Sequence, residues 1–255
     1  MGSFSSEGLK NWKRHSFHGE TSYNTVTRDG RQVILAESSG SASVLFRELR
    51  VLWLLNEMGL DCDLVHYAIA DGSLRRPGFL ELSPAGRVPA LEIDGRVLFE
   101  SGAITEYLCE TRPEHGFGRA PGHGERIAWL EWLHYAETMA HLLANLNLQW
   151  VFLRDPATRS ETVLKIEARR LANTMKPLEK TLTKQDYLLA SGFSGADTML
   201  GYNLLAAPYF VRMQPFAAIR AYLDRIAARP AYRAARAADG EQRFYTQDFY
   251  EAGDG

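Results

Sequence analysis

The stretch GRVPALEIDGRVLFESGAI, Gly86 to Ile104, constrains the fold of this chain more than any other segment. Apolar runs at 88–93 and 97–99 flank Asp94-Gly95, a dipeptide whose backbone accepts the positive φ angles of a two-residue hairpin turn. The segment therefore reads as two antiparallel strands. Pro89 has no N–H to give to a strand ladder, so it belongs at a strand's first residue or in a bend, and a cis Val88-Pro89 bond is one way to build that bend. Beyond the hairpin, Ala103, Ile104, Tyr107 and Leu108 form an apolar stripe at helical spacing, with Ser101 positioned to cap that helix.

Upstream, TSYNTVTRDGRQVILAE (Thr21 to Glu37) alternates, turns at Asp29-Gly30 and runs into Val33-Ile34-Leu35, a second hairpin pattern. The small-residue loop SSGSAS, Ser38 to Ser43, leads into FRELRVLWLLNEMG, where Leu49, Leu52, Trp53 and Leu55 predict a helix ending at Gly59. CDLVHYAI, Cys62 to Ile69, reads as a strand, and a loop with Arg75, Arg76 and Pro77 leads through a short helix to Ser83-Pro84. Strand, helix, strand, short helix, hairpin and helix together predict a small mixed sheet with helices packed on it.

After Arg112-Pro113 the β pattern stops. GFGRAPGHG, Gly116 to Gly124, breaks the periodicity as a linker does, and everything beyond it is helical in pattern. One long segment carries Ile127, Leu130, Trp132, Leu133, Met139, Leu142, Leu143 and Leu146; another carries Val163, Ile166, Leu171, Met175 and Leu178. Ser194 and Asp197 have the spacing of a capping box at the start of a buried helix. A further helix spans 216–228 and stops at Arg229-Pro230, and the polar tail from Ala238 reads as a loose strap over the surface.

A chain of 255 residues, 45% hydrophobic and 24% charged, can bury one large core or two small ones. Its net charge of −2, with acids and bases interspersed, offers no electrostatic footprint for nucleic acid or an anionic membrane. Cys62 and Cys109 match neither a CxxC nor a zinc spacing, which points to free thiols in a reducing compartment. The seven histidines show no ligand spacing; His134 and His141, seven apart, read as packing residues, as do Trp132, Tyr135, Met139 and Trp150, and no metal site is expected. No apolar run approaches a membrane span and the first twenty residues lack a signal-peptide core, so the expected location is cytoplasmic.

The Val-Pro turn, the Glu-Ser pair at the next helix, the helical second half with its FSxAD-type cap, and YLLASGFSGAD followed by LDRIAARPAY together resemble the soluble glutathione transferases. The likeness runs roughly from Arg50 to Arg236, and it is strongest to bacterial members, including those that cleave aryl ethers with glutathione. It implies an α/β thioredoxin-like N-terminal domain followed by an all-α helical-bundle C-terminal domain. The corresponding boundaries are an atypical N-terminal extension at 1–31, the thioredoxin-like domain at 32–114, the helical domain at 123–237 and a tail at 238–255. The resemblance also implies a homodimer with glutathione as co-substrate. In such a site Val88 pairs its backbone with the cysteinyl part of glutathione beside a cis Pro89, Glu100 and Ser101 hold the γ-glutamyl end, and Arg87 reaches the glycyl carboxylate.

The chemistry fits those assignments. An extended anionic peptide can add to an exposed backbone edge, and its carboxylate suits a helix N-terminus. The reactive species is the thiolate, so an ordinary thiol pKa of about 8.5 has to be lowered by a hydrogen-bond donor. SSGSAS aligns with the family's activating loop, with Ser39 in place of a proline, which makes Ser43 the candidate activator and Ser41 the second choice. The segment between Ser43 and Gly59 is about five residues longer than the family pattern. Two functions follow: an enzyme that uses glutathione thiolate to attack a small electrophile, or a binding or assembly module that keeps the pocket without turnover.

Overall fold

A computed structural model describes residues 32–37, 48–67, 72–239 and 244–251. The strand and turn expected at 21–31 lie outside the described residues, as do Ser41 and Ser43. Four strands, β1 (Gln32–Glu37), β2 (Cys62–Tyr67), β3 (Ala90–Ile93) and β4 (Arg96–Phe99), form one sheet in the order β2-β1-β3-β4. β1 pairs parallel to β2 with Gln32 opposite Cys62, and antiparallel to β3 with Ile34 opposite Leu91; β3 and β4 pair antiparallel with Ala90 opposite Phe99. A parallel pair needs a crossover, and α1 (Glu48–Glu57) supplies it. The expected hairpin turn is present, with φ of 53° at Asp94 and 69° at Gly95.

Leu49, Val51, Leu52, Trp53, Leu54 and Leu55 of α1 are all buried, which is the pattern of a helix covered on every side. It packs against β1, against α3 (Ser101–Thr111), and against two helices of the second domain, α6 (Gly195–Ala206) and α8 (Pro230–Asp239). The short α2 (Pro77–Leu80) precedes the hairpin. The second domain is helical throughout its described residues: α4 (Arg126–Asn147), α5 (Glu161–Leu182), α6, α7 (Ala217–Ala227) and α8.

α6 lies at the centre of this domain and opens with the expected capping box, Ser194 with Asp197. Its first residue has to be glycine. A Cβ on Gly195 would stand 2.8 Å from Thr105 Cγ2 and 3.0 Å from Cys109 Sγ, so the bare backbone lets α6 approach α3 across the domain boundary. Burial pushes the Cys109 thiol up to about 12 and the Cys62 thiol up to about 11, so both free thiols are poor nucleophiles at neutral pH.

In the C-terminal region one expectation holds with an addition and the other needs correction. Arg229-Pro230 does stop α7, but Pro230 also opens α8, because a proline fits a helix's first turn, where its missing N–H costs no hydrogen bond. Arg229 is an inter-domain tie as well: its guanidinium pairs with Glu57 of α1 at 2.5 and 2.7 Å and lies 3.8 Å above the Phe193 ring. Nor is the tail a loose strap. Phe244, Tyr245 and Tyr250 are buried, Tyr245 donates to Asn147 Oδ1 at 2.9 Å, and its ring stacks on Tyr209 at 4.1 Å, so aromatic area anchors a segment that also carries the polar Thr246, Gln247, Asp248 and Glu251.

Candidate functional site

A cleft of about 740 Å³ opens between the hairpin segment and α4. Ser83, Ala85, Arg87, Val88, Pro89, Glu100 and Ser101 line one wall, and Glu137, His141, Ala144 and Asn145 of α4 line the other. The first wall brings together all five residues expected to meet glutathione. The Val88-Pro89 bond is cis. The turn leading into it is held by Ser83, whose Oγ donates to the Arg87 carbonyl at 2.7 Å and accepts from the Arg87 N–H at 3.3 Å.

Glu100 is the N-cap of α3, with φ 69° and ψ 113°. A side-chain-bearing residue in that sparsely populated region carries a strain of about 1–3 kcal/mol, which surrounding structure sustains mainly at functional sites. Ser101 is not the cap the sequence suggested. It is the first residue inside the helix, and its hydroxyl turns into the protein to accept a hydrogen bond from Arg50 at 3.1 Å. Among the described residues the N-cap Glu100 makes no side-chain cap hydrogen bond to α3, so the positive end of the helix, whose first residues Glu100 and Ser101 line the cleft, lies beside an exposed carboxylate.

The lining residues of the α4 wall and their support were not singled out in the sequence, although the long helix that carries Trp132, Tyr135 and Met139 is the one expected to border an electrophile pocket. Glu137, His141 and Asn145 follow one another at four-residue spacing, which places them on one helix face; that spacing was the available signal. His141 thus lines the cleft and is not a packing residue. Asn145 Nδ2 donates to Glu167 Oε2 of α5 at 3.4 Å and lies 3.4 Å from His141 Nε2. Behind the cleft, Arg50 of α1 is completely buried: Nη1 donates to Ser101 Oγ and to Glu137 Oε1 (2.5 Å), Nη2 donates to Asn203 Oδ1 of α6 (2.7 Å), and the guanidinium lies 4.9 Å from the Tyr202 ring centre. A lone arginine in the apolar run LRVLWLL was the trace it left in the sequence.

Among the described residues, no three His, Cys, Asp or Glu side chains come together as a metal site, and no helix is long and apolar enough to cross a membrane.

Sheet, helical second domain and cleft together define a glutathione-transferase architecture. The glutathione S-transferase N-terminal domain family matches residues 49–111, and the C-terminal domain family matches 144–230. Glutathione S-transferase 3 of Zea mays is 30% identical over 198 residues, covering 72% of this chain and 86% of that protein. The LigF protein of Sphingobium is 29% identical over 223 residues, covering 72% and 87%; a solved structure of LigF, described as a beta-etherase, has a TM-score of 0.68 over 80% of this chain. A solved glutathione transferase from Methylococcus capsulatus is 28% identical, with a TM-score of 0.69 over 82% of this chain and 98% of that one. The chain belongs to the glutathione S-transferase family.

Proposed function

We propose that the cleft binds glutathione and presents its thiolate to a small electrophile, giving a thioether or displacing a halide or ether oxygen. The observation that carries this reading is the convergence of Arg87, Val88, Pro89, Glu100 and Ser101 on one cleft at the N-terminus of α3, whose N-cap Glu100 makes no side-chain cap bond. The Val88 backbone pairs with the cysteinyl unit, as a peptide added to an exposed strand edge would. The γ-glutamyl carboxylate sits on the α3 N-terminus, where N–H groups and the helix dipole favour an anion. Glu100 takes the α-ammonium, and Arg87 meets the glycyl carboxylate.

Thiol activation falls to a hydroxyl of the 38–43 loop, Ser43 first and Ser41 second. Donating to the sulfur stabilises the anion without making the serine a nucleophile. That loop's departure from the family pattern favours a second reading, a glutathione-binding module without turnover. The likeness to LigF, described as a beta-etherase, supports ether cleavage as one reaction of the first reading.

The test is direct. The protein is expected to be retained on immobilised glutathione, and Glu100→Ala combined with Ser101→Ala is expected to release it; unchanged retention of the double variant removes the site. Conjugation of a chloronitroarene, lost in Ser43→Ala or Ser41→Ala with retention intact, separates the enzyme from the module. The protein acts as a cytoplasmic homodimer in this reading, and a monomeric mass by light scattering at micromolar concentration would contradict the dimer.

A further inference from the structure

We infer that Ser83 is a positioning residue for the cysteinyl unit of glutathione: its hydroxyl fixes the plane of the Arg87–Val88 peptide and so aims the Val88 N–H at the ligand. The inference rests on the glutathione reading of the cleft.

The geometry starts from one peptide plane. Val88-Pro89 is the cis bond among the described residues, so the Arg87–Val88 peptide is trans. In a trans peptide the C=O and the N–H share a plane and point in opposite directions, so whatever holds the Arg87 carbonyl also sets the direction of the Val88 N–H. Ser83 Oγ is that group. It donates to the Arg87 carbonyl at 2.7 Å and accepts from the Arg87 N–H at 3.3 Å, so a single oxygen spans the peptide planes on both sides of Arg87. Among the described residues no backbone carbonyl takes the Val88 N–H, which leaves it as a donor for an extended peptide laid along the cleft.

Ser83 can aim this plane because it is itself held still. It is 2% exposed, its N–H donates to the Phe79 carbonyl beside the end of α2 at 2.9 Å, and its own carbonyl accepts from the Gly86 N–H at 2.8 Å. Gly86 completes the turn with φ 63°, and a Cβ there would stand 2.9 Å from the Leu74 carbonyl oxygen, so the turn rests directly on the backbone behind it. Leu74 and Phe79 form a small core with Ala90, and Val88 packs against it. The backbone of Ser83 therefore ties the turn to a buried base, while its hydroxyl alone reaches the plane to which the Val88 N–H belongs. A serine that only closed the turn would support every ligand alike. One that aims a donor supports only ligands carrying the matching acceptor, and that difference can be measured.

The experiment titrates three ligands into wild type, Ser83→Ala and Ser83→Thr by calorimetry. Glutathione is the first. γ-Glutamylcysteine, the second, keeps an acceptor oxygen on the cysteinyl carbon and lacks the glycyl unit. γ-Glutamylcysteamine, the third, has hydrogen in place of that carboxyl and lacks both. Ser83→Ala is expected to weaken the first two by about 3- to 10-fold, the equivalent of one neutral hydrogen bond, and to leave the third unchanged. Ser83→Thr keeps the hydroxyl and is expected to keep the wild-type ratios. The readout is the ratio of affinities within each protein, which does not depend on the fraction of folded protein. Equal weakening of all three ligands would reduce Ser83 to a turn-closing role and overturn the inference, as would no weakening of any. A loss confined to glutathione would place the effect on Arg87 and the glycyl carboxylate and overturn it too, and so would alanine-like ratios in Ser83→Thr. If wild type binds none of the three, the glutathione reading itself fails, whereas equal binding of all three by wild type fails this inference alone.

Discussion

Arg50→Met is expected to lower the unfolding free energy by about 2–4 kcal/mol, chiefly the cost of leaving the buried Asn203 and Ser101 oxygens without their donor, since the half-exposed Glu137 carboxylate is screened by solvent. For a chain of this size that is a fall in thermal midpoint on the order of 10 °C. Methionine fills much of the same volume, so the loss comes from the partners left behind and not from a cavity. Asn203 Oδ1 is completely buried and loses its donor, and Ser101 Oγ and Glu137 Oε1 each lose one as well. These partners sit on α3, α4 and α6, so the defect is spread across the contact between the two domains. Adding Glu137→Leu to Arg50→Met should recover part of the stability, because it removes the carboxylate that has lost the guanidinium's hydrogen bond. Denaturant unfolding measures both; a loss below about 1 kcal/mol in the single variant would show that the arginine is not the centre of this contact.

Asp197→Ala is expected to cost a similar amount, about 3–5 kcal/mol, as the sum of a lost helix cap and several buried donors left without an acceptor. The carboxylate accepts from the Leu188 N–H (3.0 Å), the Ser194 N–H (2.8 Å), the Ser194 hydroxyl (3.2 Å) and the Tyr222 hydroxyl (3.1 Å), all in the buried interior. Asp197→Asn should recover part of the loss, since its carbonyl can serve one side of the box while its amide opposes a donor on the other.

The pH dependence has a definite sign. Burial pushes the Asp197 carboxyl up to about 6, against hydrogen bonds that pull it down. A carboxyl whose pKa is higher folded than unfolded binds its proton more tightly in the folded state. Its contribution to stability is therefore fully present below about pH 4, declines between about pH 4 and about pH 6, and is flat above that. The cost of Asp197→Ala should accordingly be larger at about pH 4 than at about pH 8. A cost that rises with pH would mean that the hydrogen bonds outweigh desolvation.

Local chemistry was legible wherever a few neighbouring residues decide the backbone. Asp94-Gly95 announced its turn, the Ser194–Asp197 spacing announced its cap, and Val88-Pro89 with Glu100-Ser101 marked one wall of the cleft, because turns, caps and helix starts are set by residues within a few positions of one another. The same locality misled where tertiary contacts prevail. Ser101 looks like a cap until Arg50 claims its hydroxyl. The tail reads as a strap although its rings are buried.

From its sequence alone this protein had its two-domain order, its hairpin and one face of its cleft, since periodicity and turn residues carry those. The opposite face, and the arginine joining the two, were decided by the tertiary structure. Ser101, Glu137 and Asn203 lie 51, 87 and 153 residues from Arg50, and only the packing of four helices brings them within hydrogen-bond distance of one buried cation.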